Sequence, residues 1–172
     1  QRLSFLEALQ LLATEAGVEL PGYDPAKHQA YTRKADILEA AQEHFIQQLQ
    51  EPAGRPVLDY LLERGYKPEE IQAMELGAYV DRPGLQQLLL QQGYTQQEIR
   101  DSGLLTTDLG EPGKYTLALL WRDAAGRATG LATRPAFSEI PDGLTKYKYS
   151  AGLQKDQGLV GFSAVRGARQ IV

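Results

Sequence analysis

The chain of 172 residues contains no cysteine. This absence excludes disulfide bonds, thiolate catalysis and cysteine-based zinc sites, and it is compatible with a cytoplasmic setting. The two histidines, His28 and His44, lie 16 residues apart on one predicted helix. That is not a metal-ligand spacing, and we interpret both as solvated. No apolar run approaches the roughly 18 to 20 residues of a membrane span, and no signal peptide is visible, so no membrane partner is expected.

Familiar catalytic motifs are also absent. The sequence contains no G-x-S-x-G, H-E-x-x-H, Walker A or D-x-D pattern. Its carboxylates fall mainly on the polar faces of predicted helices, where they are ordinarily solvated. We therefore expect no catalytic residue and no bound cofactor or metal on this chain.

Acidic residues are scarce toward the C-terminal end. Residues 1–113 hold 9 basic and 18 acidic side chains, whereas residues 114–172 hold 9 basic and 4 acidic ones. The overall charge of −4 therefore conceals a basic segment. Such an asymmetry indicates a polyanion partner for the basic part. The alternative is that small β-rich segments are often mildly basic.

Hydrophobic periodicity divides the chain into three parts. We predict an N-terminal helix and linker over 1–22, a helical subdomain over 23–112 and a basic β-rich subdomain over 113–172. The middle part opens with a long helix from about Pro25 to Gln50, capped by the preceding aspartate. It then contains the pattern Gly-Tyr, three residues, Glu-Ile twice, each time after a short glycine-terminated helix. This duplication predicts two helical hairpins, and Thr95 and Glu98 predict a capping box at the start of the last helix.

The last part carries strand signals. Residues 114–134 predict two strands around an Asp-Ala-Ala-Gly turn, with Gly126 in a left-handed conformation. Residues 159–168 favour a helix, and the final R-Q-I-V resembles the start of a buried strand, so we expect a fragment of a longer protein. The predicted fold class is α+β: a helical subdomain followed by a small, mostly antiparallel sheet of about 3 to 5 strands with flanking helices.

Basic residues cluster around one of these strands. If residues 145–149 form a strand, Lys146 and Lys148 share one face and the two tyrosines share the other. Arg134 ends the preceding strand, and Lys155 lies in the glycine-flanked loop beyond. Cations at strand ends and in loops can follow a phosphate backbone, and tyrosines beside them can stack on bases. The alternative is an ordinary exposed amphipathic strand.

Five motifs follow one another along the chain: Y-L-L-E-R-G-Y (60–66), G-Y-T-Q-Q-E-I-R-D-S-G-L-L (93–105), R-D-A-A-G-R-A-T-G-L-A-T-R (122–134), T-K-Y-K-Y-S (145–150) and L-Q-K-D-Q-G-L-V-G-F (153–162). Their order resembles the N-terminal part of the polymerase core of bacterial-type (DnaG-like) DNA primases, the segment before the Toprim domain. The resemblance covers nearly the whole chain. The T-K-Y-K-Y-S stretch stands where the family has Lys-Tyr-Leu-Asn-Ser, so Tyr149 replaces an asparagine.

This resemblance implies a function for the basic residues. The family's groove for template strand and incoming nucleotides falls on Arg64, Arg134, Lys146 and Lys155, with Lys148 as an extra charge on the same strand face. The full-length enzyme would be a nucleotidyltransferase that makes RNA primers on single-stranded DNA from nucleoside triphosphates, using Mg or Mn. The metal-binding carboxylates would belong to a downstream Toprim domain in cis.

Departures from the family suggest a divergent primase. The first strand, K-Y-T-L-A-L-L-W, lacks the family's arginines and its Phe-Pro-Ile core. We therefore expect a mobile-element origin, with a replicative helicase as a further partner. One alternative is a non-catalytic architectural or protein-interaction module of such a helicase, in which Lys146 and Lys155 can be neutralised without loss. Another is a helical adaptor unrelated to nucleic acid, which would place Arg64, Arg134 and Lys146 far apart.

Overall fold

The structure is a computed structural model that describes residues 5–18 and 24–161. The chain forms two compact units, residues 1–32 and 33–172. No helix in the described ranges is long and apolar enough to cross a membrane. The helices and strands are α1 (Phe5–Ala16), α2 (Pro25–Gln50), α3 (Arg55–Glu63), α4 (Pro68–Ala73), β1 (Gly77–Ala78), α5 (Arg82–Gln91), α6 (Gln96–Ser102), β2 (Leu117–Asp123), β3 (Ala128–Arg134), β4 (Lys148–Tyr149) and β5 (Gly158–Val160).

Helix α2 begins and ends where the sequence predicts. At its start, Asp24 accepts hydrogen bonds from the backbone N–H groups of Ala26 and Lys27 at 3.0 and 3.2 Å. A carboxylate there satisfies amides that have no partner within the helix, and it opposes the positive end of the helix dipole. Pro25 fits the first helical position, since its missing N–H would be unpaired there in any case.

The two Gly-Tyr repeats form two helical hairpins, α3–α4 and α5–α6. Each first helix ends at a glycine with positive φ, 89° at Gly65 and 85° at Gly93. In both turns the following tyrosine, Tyr66 or Tyr94, donates its backbone N–H at 3.1 Å to the carbonyl five residues earlier. A glycine suits this position because it adopts positive φ without steric cost. The duplicated sequence therefore encodes a duplicated helix end.

The glutamate of each repeat fixes the start of the second helix. Glu98 accepts hydrogen bonds from the N–H and the hydroxyl of Thr95 at 2.7 and 2.8 Å, and the Thr95 hydroxyl accepts from the Glu98 N–H at 3.2 Å. In the first hairpin, Glu70 accepts from the N–H of Lys67 at 2.8 Å. The predicted capping box at α6 is confirmed, and α4 uses the same carboxylate contact.

The strands form one antiparallel sheet in the order β1-β2-β3-β4, with β5 paired to the end of β2. The predicted β2–β3 hairpin is confirmed, and Gly126 has a φ of 84° in its turn. The helix predicted over 159–168 is wrong at its start. Residues 158–160 pair instead with Trp121–Asp123, because the two-residue β1 leaves that end of β2 without a backbone partner. The R-Q-I-V segment lies outside the described residues.

Two apolar cores join the helices to the sheet. One packs α2, α5 and α6 against β2 and β3, and the other packs α3 and α4 against β1 and β2. Gly77 allows this approach, since a Cβ there would lie 2.5 Å from the Cβ of Phe45 on α2. The boundary predicted at 112/113, between the helical and the β-rich subdomain, lies inside the second compact unit, residues 33–172. The α+β class with an antiparallel sheet is confirmed.

Candidate nucleic-acid interface

One face of the sheet carries the basic residues that the sequence singled out. The strand register places Leu117 opposite Arg134, and Ala132 opposite both Leu119 and Tyr149. Opposed residues share a face, and side chains on one strand alternate between faces. Arg134 and Tyr149 therefore share the sheet face that α3 and α4 partly cover.

Tyr60 connects two of the predicted basic residues. The guanidinium carbons of Arg64 and Arg134 each lie 5.8 Å from the centre of the Tyr60 ring. Arg64 follows Tyr60 by about one helical turn at the end of α3, whereas Arg134 ends β3. Both arginines line one small cleft. The tyrosine thus joins a cation from a helix to a cation from the sheet.

Tyr147 extends this arrangement to a lysine. The guanidinium carbon of Arg134 lies 5.5 Å from the centre of the Tyr147 ring, and Arg134 Nη1 donates to the Tyr147 hydroxyl at 3.2 Å. The Nζ atom of Lys146 lies 5.9 Å from the same ring centre. Lys146 is exposed, so its ammonium group is open to solvent.

Lys155 completes the arrangement through Tyr149. Its Nζ atom lies 3.6 Å from the centre of the Tyr149 ring. The centre of that ring lies 6.2 Å from the centre of the Tyr147 ring, with the two planes tilted by 33°, and 6.3 Å from that of the Trp121 ring, which it meets edge to face. The structure thereby brings four of the five predicted residues together in one series of cations and rings. We call it the basic aromatic surface, defined by Tyr60, Arg64, Arg134, Lys146, Tyr147, Tyr149 and Lys155.

The cations of this surface are not neutralised by carboxylates. Within the described residues, no Asp or Glu oxygen lies within 4.0 Å of a side-chain nitrogen of Arg64, Arg134, Lys146 or Lys155. A cation over an aromatic ring is attracted by the electrons of the ring face but keeps N–H groups free to donate. Such donors bind phosphate oxygens well, and arginine can do so with two parallel hydrogen bonds.

Lys148 does not belong to this surface, and its predicted role in nucleic-acid binding stays a prediction. Lys148 is opposite Thr133 in the sheet, and its Nζ atom lies 6.0 Å from the centre of the Tyr115 ring. It lines a separate cleft, which also includes Glu111. The prediction assumed that the strand covers 145–149, but only Lys148 and its successor pair with β3. The alternation of strand side chains therefore does not extend to Lys146.

The histidines also differ from expectation in one case. The side chain of His44 is only 11% exposed, and its Nε2 lies 4.0 Å from a carboxylate oxygen of Asp81, so the prediction of a solvated residue is wrong there. Across residues 5–18 and 24–161, no group of three or more His, Asp or Glu side chains could hold a metal ion. The basic aromatic surface itself offers cations and phenol rings, which are not ligands for Mg²⁺.

Sequence reasoning missed two aromatic residues at this site. Tyr60 is buried between the two arginines, and Trp121 sits beside Tyr149. The i, i+4 spacing of Tyr60 and Arg64 on α3 was a usable signal, since such residues are neighbours on a helix. The proximity of Trp121 to Tyr149 required knowing the order of the strands.

Comparison with known proteins gives a consistent result. A DNA primase from Deinococcus radiodurans is 30% identical over 174 residues, which cover 96% of this chain and 29% of that protein. The RNA polymerase domain of Mycobacterium tuberculosis primase DnaG, in complex with a double-stranded DNA oligomer with a 6-nucleotide overhang, matches 69% of this chain and 38% of that one at a TM-score of 0.56 and 22% identity. A DnaG primase catalytic domain bound to single-stranded DNA matches 72% of this chain and 38% of that one, at a TM-score of 0.51 and 20% identity. No protein-family model matches.

The fold, with mixed helices and a small antiparallel sheet, is therefore that of part of the primase RNA polymerase domain. The chain is a divergent relative of bacterial-type DNA primases, which confirms the resemblance found in the sequence. It spans less than a third of the length of the Deinococcus primase.

Proposed function

We propose that this chain binds the single-stranded DNA template of a primase-like enzyme through the basic aromatic surface. The observation that carries the proposal is that four cations contact tyrosine rings on one surface while no described carboxylate pairs with them. Ion-paired cations stabilise a fold, whereas unpaired cations that remain solvated are available to a polyanion.

The arrangement supports binding that does not depend on base sequence. Arg64 and Arg134 present planar guanidinium groups from two elements that a single ring holds together, which suits contacts to successive phosphates. Lys146 and Lys155 add point charges farther along the surface. In other proteins that bind single strands, successive bases stack on the faces of aromatic side chains beside such cations. The solved DnaG catalytic domain bound to single-stranded DNA supports this choice of ligand.

The role of the whole protein follows from its relatives and is part of the same proposal. The full-length enzyme would transfer nucleotides from nucleoside triphosphates to a growing RNA primer, with Mg or Mn held by a Toprim domain in cis. In this scheme the described residues hold and orient the template, and the metal chemistry takes place on other residues. Cytoplasmic localisation and a replicative helicase partner belong to the same proposal, and the mobile-element origin stays a prediction.

A binding titration tests the proposal. We would measure the fluorescence anisotropy of a labelled single-stranded oligonucleotide against the 172-residue chain. Variants would be Lys146→Gln/Lys155→Gln and a control with the same loss of charge, Lys27→Gln/Arg100→Gln, whose cations belong to α2 and α6 and are not among those of the basic aromatic surface. Circular dichroism would confirm that each variant is folded.

We expect the wild type and the control to bind with the weak affinity of non-specific contacts, with Kd of about 10⁻⁴ to 10⁻⁶ M, and the site variant to bind more weakly. Equal binding by the site variant and the wild type would favour the architectural module instead. The adaptor alternative would be favoured if Arg64, Arg134 and Lys146 lay far apart, whereas they are linked through Tyr60 and Tyr147.

A further inference from the structure

We infer that Tyr149 is a positioning residue for Lys155: its ring holds the Lys155 ammonium in place to contact one phosphate of the bound strand. The inference rests on the proposed function for the phosphate, but the contact itself is independent of it. Of the cation–ring distances in the described part of the chain, the 3.6 Å between Lys155 Nζ and the Tyr149 ring centre is the shortest.

The backbone of Tyr149 is fixed by the sheet. Tyr149 pairs with Ala132 on β3, and the next residue, Ser150, donates its N–H to the Leu131 carbonyl at 2.8 Å. The Ser150 hydroxyl also accepts the N–H of Leu131 at 3.0 Å. These bonds anchor the end of β4, so the ring of Tyr149 projects from a rigid strand.

Lys155, in contrast, lies at the start of a short 3-10 turn after a glycine-containing loop. Its side chain is exposed, and no described carboxylate lies within 4.0 Å of its Nζ, although Asp156 is the next residue. A free lysine side chain loses rotamer entropy when it is immobilised. The ring of Tyr149 restricts Lys155 before any ligand arrives, and so reduces the entropy lost on binding.

Lys146 provides the internal comparison. Its Nζ lies 5.9 Å from the Tyr147 ring, at the outer limit of a cation–π contact, and it precedes β4. Tyr147 therefore restricts Lys146 less than Tyr149 restricts Lys155. We therefore expect removal of the Tyr149 ring to weaken the contribution of Lys155 to binding, and removal of the Tyr147 ring to leave that of Lys146 unaffected.

The contact can be tested without nucleic acid. Lysines of the chain would be dimethylated with ¹³C-formaldehyde, and the Lys155 signal assigned through Lys155→Gln. We expect the ring current of Tyr149 to move the Lys155 methyl signal upfield of the other lysines. Tyr149→Phe should retain the shift and Tyr149→Leu should abolish it. A wild-type Lys155 signal that coincides with those of exposed lysines would overturn the inference.

A double-mutant cycle then tests whether the contact serves binding. Tyr149→Leu should weaken single-stranded DNA binding about two- to fivefold, more than Tyr149→Phe, which keeps the ring. In a Lys155→Gln background, Tyr149→Leu should have no further effect. Equal weakening in both backgrounds would overturn the positioning role alone. Absence of binding by the wild type would overturn the proposed function and, with it, the phosphate role of Lys155.

Discussion

Arginine contacts tyrosine on both helical hairpins, but a carboxylate completes the contact on only one of them. On the second hairpin, the guanidinium carbon of Arg33 lies 4.4 Å from the Tyr94 ring centre, and Arg33 Nε donates to Glu98 at 2.8 Å. On the first hairpin, Arg64 contacts Tyr60 without a described carboxylate partner. The cation beside the second hairpin, Arg33 of α2, is therefore neutralised, whereas Arg64 of the first hairpin remains available.

Arg122 is neutralised by two carboxylates. Its side chain is 10% exposed, its Nη1 donates to Glu39 on α2, and its Nε and Nη2 donate to Glu75 at 3.0 and 2.9 Å. Glu75 has a positive φ of 53°, unusual for a residue other than glycine, and these contacts help to hold it. The pKa of Arg122 is lowered by burial, but the two carboxylates outweigh that effect and raise it overall.

The comparison teaches that the carboxylate partner, more than the cation itself, separates the two roles. Arg33 and Arg122 tie α2 to other elements, so their charges are used within the fold. The cations of the basic aromatic surface contact uncharged rings, which hold them without cancelling their charge. Each prediction below acts on one side of this division.

The largest effect should come from Arg122→Met. The substitution leaves Glu39 and Glu75 without a partner in a partly buried position, and we expect the free energy of unfolding to fall by about 2 to 4 kcal/mol. Urea denaturation would measure it. Single-stranded DNA affinity of the folded fraction should be unchanged. A loss of DNA affinity with no loss of stability would show that Arg122 serves binding and not the fold, contrary to this prediction.

Charge reversal at the basic aromatic surface should weaken DNA binding and leave stability nearly unchanged. Lys146→Glu introduces a carboxylate beside Arg134 and Tyr147, and we expect about tenfold weaker binding of single-stranded DNA. Because Lys146 is exposed, the free energy of unfolding should change by less than about 0.5 kcal/mol. The matched control is Arg100→Glu, which makes the same change of charge on α6. Equal losses for both variants would show that only net charge matters.

Acid should remove the stabilisation that Glu98 provides. Its pKa is lowered from 4.5 to about 2, first by the hydrogen bond from the Thr95 backbone and then by those from Arg33 and the Thr95 side chain. Since the folded state resists protonation, the contribution is present above about pH 4.5 and is lost as the pH falls toward 2.

Thermal melts of Glu98→Gln test this sign. The variant should melt below the wild type at pH 7, and the two curves should converge as the pH approaches 2. Glu43→Gln, an exposed change on the same unit, should follow the wild type at every pH. A constant difference between Glu98→Gln and the wild type across this range would rule out the carboxylate as its source.

The smallest effect should come from an exposed ion pair. Arg55 Nε lies 2.8 Å from Asp59 one turn along α3, and both side chains are largely solvated. We expect Arg55→Gln to lower the free energy of unfolding by only about 0.3 to 0.5 kcal/mol and to leave DNA binding unchanged. A larger loss would mean that exposed pairs contribute to the fold as Arg122 does.

Local signals made much of this fold predictable. The Asp24 cap, the Thr95–Glu98 capping box and the Gly126 turn each depend on a few neighbouring residues, and all three form as expected. Strands β1 and β5 did not follow from the sequence, since two or three residues carry no periodicity. They exist because β2 supplies backbone partners.

The site was predictable in its charges but not in its arrangement. Arg64, Arg134, Lys146 and Lys155 came from strand ends, loops and the family resemblance. The rings that hold them were set by tertiary packing, which brings Tyr60 of α3 against the end of β3. Charge separation from carboxylates is likewise a property of the folded chain, because sequence neighbours such as Lys155 and Asp156 do not pair.

The salt dependence of single-stranded DNA binding tests the central claim most directly. The logarithm of the association constant would be plotted against that of the salt concentration for the wild type, Lys146→Gln/Lys155→Gln and the control Lys27→Gln/Arg100→Gln. If Lys146 and Lys155 each neutralise a phosphate, the site variant should lose about 1.4 units of slope, about 0.7 per contact, and the control should lose none. Identical slopes for all three proteins would show that these cations do not contact the nucleic acid, and would contradict the account.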